Sequence, residues 1–185
     1  MQLTTHKFDV EQYELMGKAG IFHPESRLEL IEGEIVIMTP IGLKHSVTIN
    51  RFNYALSQSI GKNGIVSIQN SIRLPDYSEP QPDIVILKPR HDFYAGKFPQ
   101  AEDVLLLIEV ADSSLKYDQS AKLVLYAKYG IFEYWIANLE RNVLEIYREP
   151  QNLNYLKQKV IDTDAIPFAP IAFPEMTMTL KEIYG

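Results

Sequence analysis

Five consecutive apolar residues, 104–108, lead directly into a carboxylate, Glu109, which is followed by Val110 and Ala111. An uninterrupted apolar run of this length predicts a strand that is buried on both faces. Glu109 then lies at or near the carboxyl end of that strand, where a carboxylate is costly unless it meets a cation or hydrogen-bond donors. Two alternatives follow: a positive group meets Glu109, or the strand has ended and Glu109 lies in water.

Three stretches have the apolar spacing of helices, and a fourth predicts a short helical turn near the end of the chain. The first contains Asp9 as a plausible N-cap, and the third follows a pair of serines, Ser113 and Ser114, that could also cap a helix. The predicted helices are residues 9–19, 44–60, 115–129 and 180–184. The residues assigned to the buried side of the second helix are Val47, Phe52, Tyr54, Ala55, Leu56 and Ile60.

The remaining apolar runs predict strands. Residues 27–38 indicate a hairpin around Gly33, and residues 91–103 indicate a loop. Further strands are predicted at 65–70, 71–74, 83–87, 104–111, 132–137, 142–148 and 155–161. This order predicts an α/β protein, α+β-like, with a central mixed sheet flanked by helices and an N-terminal helix and hairpin. We expect residues 1–185 to form a single domain, and no glycine-rich phosphate loop is present.

The amino-acid composition excludes several kinds of functional site. The 185 residues include no cysteine, which excludes disulfides, thiolate zinc sites and thiol nucleophiles. No apolar run reaches the roughly 18 to 20 residues of a membrane span, and the first residues lack the apolar core of a signal peptide. We therefore expect a cytoplasmic protein with no membrane partner. The net charge of −6 argues mildly against nonspecific attraction to nucleic acid, but acidic metal sites themselves lower net charge.

Two carboxylates stand at strand ends, because Asp83 begins one predicted strand and Glu109 ends another. If the two strands are neighbours, both carboxylates can converge on a hard cation such as Mg²⁺, which would polarise a phosphodiester. Ala111 shares the face of Glu109, so the strand itself supplies no lysine. Asp118 and Lys122 lie four residues apart on one face of the next helix, from which Lys122 could point back toward Glu109.

These residues belong to a larger set of motifs, which resembles the Uma-two family of restriction-endonuclease-like proteins, also known as a domain of unknown function. The segments that carry the resemblance are Gln81-Pro82-Asp83, the run from Leu106 to Ser114, the pair Asp118 and Lys122, and the run from Tyr126 to Trp135. The hairpin residues 30–35, Pro40 and His45 match the N-terminal half of the family, so the resemblance spans roughly residues 9–148.

The family belongs to the PD-(D/E)XK nuclease superfamily, and the resemblance implies roles for individual residues. Pro82-Asp83 corresponds to the PD element and Glu109 to the acidic residue of the second element. Ala111 departs from the superfamily pattern, in which lysine is usual at this position. In such relatives the next helix is thought to supply the lysine, which here is Lys122.

The expected function is a DNA endonuclease in which Asp83, Glu109 and the Val110 carbonyl hold Mg²⁺ or Mn²⁺. Lys122 would orient water or neutralise the phosphate, and double-strand cleavage would suit a homodimer with the segment 132–161 as its interface. The alternative is a non-catalytic nucleic-acid-binding or protein-interaction module.

Several assignments stay open at this point. They are a proton-carrying, phosphate-binding or capping role for His45, entry of Asp118 or of one of Glu29, Glu32 and Glu34 into the site, and Lys116 or Lys128 as rivals of Lys122.

Overall fold

The computed structural model describes residues 4–185 as a mixed sheet with helices on both faces. The helices are α1 (Val10–Lys18), α2 (Leu43–Ile60), α3 (Leu115–Tyr117), α4 (Leu123–Lys128) and α5 (Leu180–Tyr184), with a π-helical turn (Asp118–Lys122) joining α3 to α4. The strands are β1 (Leu28–Ile31), β2 (Glu34–Ile37), β3 (Ile65–Ile68), β4 (Ile84–Leu87), β5 (Val104–Ala111), β6 (Glu133–Asn138), β7 (Val143–Gln151) and β8 (Asn154–Ile161). In this part of the chain, no helix combines the length and apolarity needed to cross a membrane.

The main sheet has six strands in the order β3-β4-β5-β6-β7-β8. Every adjacent pair is antiparallel except β5 and β6, which are parallel. A parallel pair needs a crossover connection, and α3, the π-helical turn and α4 provide it. The prediction of an α+β-like mixed sheet flanked by helices, with an N-terminal helix and a β1–β2 hairpin, is therefore confirmed.

The central strand β5 is buried on both faces, as its apolar run predicts. Leu106, Ile108 and Val110 pack on the side covered by α2 and α5. Leu107 and Ala111 pack on the opposite side, against α4 and the apolar residues of the hairpin. Because side chains alternate along a strand, Glu109 shares the second face with Leu107 and Ala111. The face opposite α2 is therefore the one that carries the candidate chemistry.

Helix α2 has the predicted length but a different buried face. Its buried residues are Thr48, Ile49, Phe52, Leu56 and Ile60. Val47 and Tyr54, which were assigned to the buried side, are 39% and 69% exposed, so that assignment is wrong for both. The residues Ile49, Phe52, Leu56 and Ile60 repeat at intervals of three and four, and this stripe rather than the one through Tyr54 packs on the sheet.

Two further local predictions also need correction. Residues 71–74 do not form a strand, because Arg73 and Leu74 make only isolated bridges, to Gln100 and Ser78 respectively. Ser114 does not cap its helix: its backbone is already helical and its hydroxyl donates to Asp118 Oδ2 at 2.7 Å. Asp9, in contrast, caps α1 as predicted by accepting the Gln12 N–H at 2.8 Å.

Candidate active site

Antiparallel pairing of β4 with β5 brings Asp83 and Glu109 together. Ile84 pairs with Ile108, so the residue before β4 lies opposite Glu109. The Asp83 N–H donates to Glu109 Oε2 at 3.3 Å, and the Val110 N–H donates to Asp83 Oδ2 at 2.9 Å. Each acidic residue is therefore tied to the strand that carries the other. Both are buried, at 6% and 3% exposure.

Lys122 reaches this pair from the π-helical turn. Its Nζ lies 3.0 Å from Glu109 Oε1 and 3.2 Å from Glu29 Oε2, and the Tyr126 hydroxyl donates to Glu109 Oε1 at 2.8 Å. The ammonium group therefore lies beside the carboxylate at the end of β5, although β5 itself carries Ala111 and no lysine. The two rival lysines lie elsewhere, since Lys116 is exposed and Lys128 forms a surface ion pair with Glu32.

His45 and Gln69 hold the carboxylate of Asp83. His45, in the first turn of α2, places Nε2 3.0 Å from Asp83 Oδ2, and Gln69 Nε2 donates to Oδ1 at 3.2 Å. Burial opposes ionisation of Asp83, but the bonds from His45, Val110 and Gln69 outweigh it and lower its pKa. Sequence reasoning missed Gln69. It directly follows β3, whose last residue Ile68 pairs with Ile84, so the β3–β4 register was the signal that could have identified it.

Among the open acidic candidates, Glu29 and Asp118 join the cluster, and both are 2% exposed. Glu29 accepts the Gln81 N–H at 3.3 Å in addition to meeting Lys122. Glu32 and Glu34 remain at the surface, where they pair with Lys128 and Lys7. One acid from the hairpin therefore enters the site, and it comes from strand β1 rather than from the turn.

These side chains line a cavity of about 270 Å³ that has an excess of negative charge. Its carboxylates are Glu29, Asp83, Glu109, Asp112 and Asp118, and its cationic side chains are Arg27 and Lys122, with His45 beside them.

Burial, with added repulsion from neighbouring carboxylates, raises the pKa of Glu109 to about 8 against the opposing charge of Lys122. Burial likewise raises the pKa of Asp118 to about 6. Burial opposes the charge on Lys122, but Glu109, Glu29 and Asp118 outweigh it and raise its pKa. Without another cation, the cluster therefore holds a proton near neutral pH.

The oxygen ligands present suit a hard divalent cation. Within residues 4–185, no three His, Asp or Glu side chains form a ready-made metal cage. Mg²⁺ commonly needs only one or two protein carboxylates, because waters and substrate phosphates complete its coordination. Asp83 and Glu109 meet that requirement. The Val110 carbonyl leaves β5 on the same side as its N–H, toward Asp83, where regular pairing with β4 has ended.

The fold and the cavity define a mixed α+β protein in which two carboxylates at adjacent strand ends meet a lysine from the crossover connection. Residues 10–181 match the family described as Uma2, "Putative restriction endonuclease", and the chain belongs to that family. A solved structure of "a putative nuclease belonging to DUF820" from Anabaena variabilis ATCC 29413 has 18% sequence identity and a TM-score of 0.77. The alignment covers 96% of this chain and 97% of that chain, and it supports the same fold. A comparison with curated proteins finds no match.

Proposed function

We propose that residues 1–185 form one restriction-endonuclease-like domain that acts as a metal-dependent DNA endonuclease, hydrolysing phosphodiester bonds. The observation that carries the proposal is the pair of hydrogen bonds that locks Asp83 and Glu109 side by side, with Lys122 3.0 Å from Glu109. Membership of a restriction-endonuclease family supports DNA as the substrate. Structural ion pairs seldom leave several buried carboxylates around one lysine beside a cavity, because such burial is costly.

Asp83, Glu109 and the Val110 carbonyl would hold Mg²⁺ or Mn²⁺. A bound divalent cation supplies Lewis-acid polarisation of the phosphodiester and lowers the pKa of water, which gives a nucleophile near neutral pH. The excess of carboxylates over cations in the cavity favours such an ion electrostatically. Asp83 is suited to this role because its pKa is already lowered by its hydrogen bonds, so it is ionised when a cation arrives.

Lys122 and His45 would act on water and protons. Lys122 stays protonated, since its carboxylate neighbours raise its pKa, and it can donate a hydrogen bond to the attacking water or to a phosphate oxygen. His45 fixes the orientation of Asp83 through Nε2 and can carry a proton away from the site. Both side chains are held by named partners, so little reorganisation is needed when substrate binds.

We further propose that the active form is a homodimer. β8 is an edge strand of the main sheet, and Leu156 and Val160 on it are 63% and 53% exposed. A two-fold axis at this edge would give two sites for two DNA strands. Light scattering coupled to size exclusion should give twice the mass of a 21.2 kDa chain, and a monomer at high concentration would rule the dimer out.

The test of function is cleavage of supercoiled plasmid and of single-stranded DNA with Mg²⁺, Mn²⁺ or EDTA. Wild type should nick plasmid only with metal, and Asp83→Ala and Lys122→Ala should both abolish nicking. If only Asp83→Ala abolishes it, the metal assignment stands and that of Lys122 is wrong. Wild type that is inert on every substrate would favour the non-catalytic binding module, whose affinity for DNA should fall with salt but not depend on metal.

A further inference from the structure

Arg27 is a cation in the cavity wall whose guanidinium has almost no protein partner. It directly precedes β1, and its main chain is fixed because its carbonyl accepts the Met38 N–H at 2.9 Å. The half-buried side chain makes one long hydrogen bond, from Nη1 to the Thr39 carbonyl at 3.4 Å. Within residues 4–185 it forms no ion pair, although it lines a cavity with five carboxylates.

Lys122 and His45, which also line the cavity, each already contact a carboxylate. Lys122 is only 4% exposed and lies between Glu109 and Glu29, while His45 uses Nε2 on Asp83. A guanidinium has five N–H donors, and the Thr39 contact uses one of them. Arg27 therefore has more donors left for a ligand than Lys122, whose three N–H donors already meet two carboxylates.

Three of the other arginines of the chain are held by carboxylates. Arg148 pairs with Glu133 at 2.6 Å and Arg90 with Asp92 at 2.6 Å, while Arg73 pairs with both Glu14 and Glu79. In each case a carboxylate takes the guanidinium. Arg27, in contrast, forms no ion pair with any of the five carboxylates that line its cavity.

The geometry near Thr39 keeps Arg27 at the rim of the cavity. Thr39 belongs to the connection between β2 and α2, and the Ser113 hydroxyl donates to its Oγ1 at 3.5 Å from the connection after β5. This contact joins the two walls beside Arg27. An anion that enters the acidic cavity is repelled by its carboxylates. A cation at the rim with unused hydrogen-bond donors would offset that repulsion.

We propose that Arg27 binds a non-bridging oxygen of the DNA phosphodiester that enters this cavity. Guanidinium groups match the geometry of phosphate oxygens and bind them through paired charge-assisted hydrogen bonds. The inference deepens the proposed nuclease function by adding a substrate-binding residue separate from Asp83, Glu109 and Lys122. It also gives a phosphate contact that exists whether or not a metal ion is bound.

The test measures duplex DNA binding in EDTA as a function of salt, so that contact with phosphate is read without metal-dependent cleavage. Each lost phosphate contact should reduce the slope of log affinity against log salt by about 0.9. Arg27→Gln should show that reduction and bind about tenfold more weakly at fixed salt, whereas Arg27→Lys should keep the slope. Lys18→Gln removes the same charge from exposed α1, outside the cavity, and should change neither quantity.

An unchanged slope and affinity in a folded Arg27→Gln variant would overturn the proposal, as would the absence of measurable duplex binding by wild type. Circular dichroism checks folding of each variant, and Arg27→Lys supplies the rescue if Arg27→Gln is unstable. The two proposals fail separately. Wild type that never cleaves, combined with the reduced slope in Arg27→Gln, rejects the nuclease function and keeps the phosphate contact.

Discussion

Two buried glutamates on neighbouring strands of one sheet have opposite surroundings. Glu133, on β6, is fully buried and accepts hydrogen bonds from Arg148 Nε at 2.7 Å, Trp135 Nε1 at 2.9 Å and the Ile171 N–H at 2.7 Å. One arginine thus balances one carboxylate. Glu109, on β5, shares Lys122 with Glu29 and lies among further carboxylates at a cavity.

The difference separates a structural carboxylate from a candidate catalytic one. Around Glu133 every oxygen has donors and the charge is balanced, so the site needs nothing from solvent. Around Glu109 the negative charge exceeds the positive, and burial together with repulsion from the neighbouring carboxylates raises its pKa. Burial alone therefore does not mark function in this chain. Burial with unbalanced charge at a cavity does.

The largest expected effect is a loss of cleavage rate. Substitution of only one of the two glutamates, Glu109, should cause it. Glu109→Gln should lower the rate of Mg²⁺-dependent plasmid nicking by about a thousandfold, the upper scale for losing a group that stabilises transition-state charge. The amide keeps the volume of the side chain but removes a charged ligand oxygen. Single-turnover rates measured on folded protein give the comparison.

Glu133→Gln is the matched control for that variant, because it makes the same chemical change at an equally buried site. Its cleavage rate per folded molecule should equal that of wild type. Equal losses in both variants would mean that the cavity around Glu109 has no special role and that stability alone explains the result.

The sequence predicts those parts of the site that follow from local sequence patterns. The apolar run before Glu109, the carboxylate at the start of β4 and the lysine on the following helix are local patterns, and the structure brings all three together. Lys122 was the hardest of these, because nothing in helical spacing alone fixes which face of a helix meets the sheet.

The contributions of Gln69 and Glu29 depend on contacts between distant segments. Gln69 reaches Asp83 only because β3 pairs with β4, and Glu29 reaches Lys122 only because the hairpin packs against the face that carries Glu109. The π-helical turn is also held by contacts with distant strands. Gln119 donates to both oxygens of Glu145 on β7, and the Tyr134 hydroxyl donates to the Asp118 carbonyl.

The second-largest expected effect is on the free energy of unfolding. Here the glutamate whose substitution matters is Glu133 rather than Glu109. Glu133→Gln should lower the free energy of unfolding by about 3 kcal/mol, because it leaves Arg148 without its counter-charge in a largely buried pair. Urea unfolding followed by tryptophan fluorescence measures the change, since Trp135 contacts Glu133 directly. A loss below about 0.5 kcal/mol, typical of exposed pairs, would show that this pair is not structural.

The third effect is a pH dependence of stability that should come chiefly from the Glu109 cluster. Its folded pKa of about 8 lies above the value of 4.5 for an isolated glutamate, so the native state binds more protons than the unfolded state between these values. Stability of metal-free protein should therefore fall as pH rises through this window, by about 1 to 2 kcal/mol because the carboxylates share the proton. Glu109→Gln should flatten that fall, and Glu133→Gln should retain it. Urea unfolding in EDTA at pH 5 and pH 8 tests both, and a wild-type stability that rises with pH would contradict the charge imbalance.

The smallest effect belongs to a third glutamate, Glu32, whose partner Lys128 was a rival for the catalytic lysine. Their ion pair is 2.8 Å long, but the two side chains are 40% and 46% exposed, so solvent screens it. Lys128→Met should change the free energy of unfolding by only about 0.3 kcal/mol and leave nicking unchanged. Lys122→Met, in contrast, should abolish nicking, because it removes the ammonium group beside Glu109 and leaves that charge unpaired. If Lys128→Met is the inactive variant and Lys122→Met nicks plasmid at the wild-type rate, the catalytic lysine has been assigned to the wrong helix position.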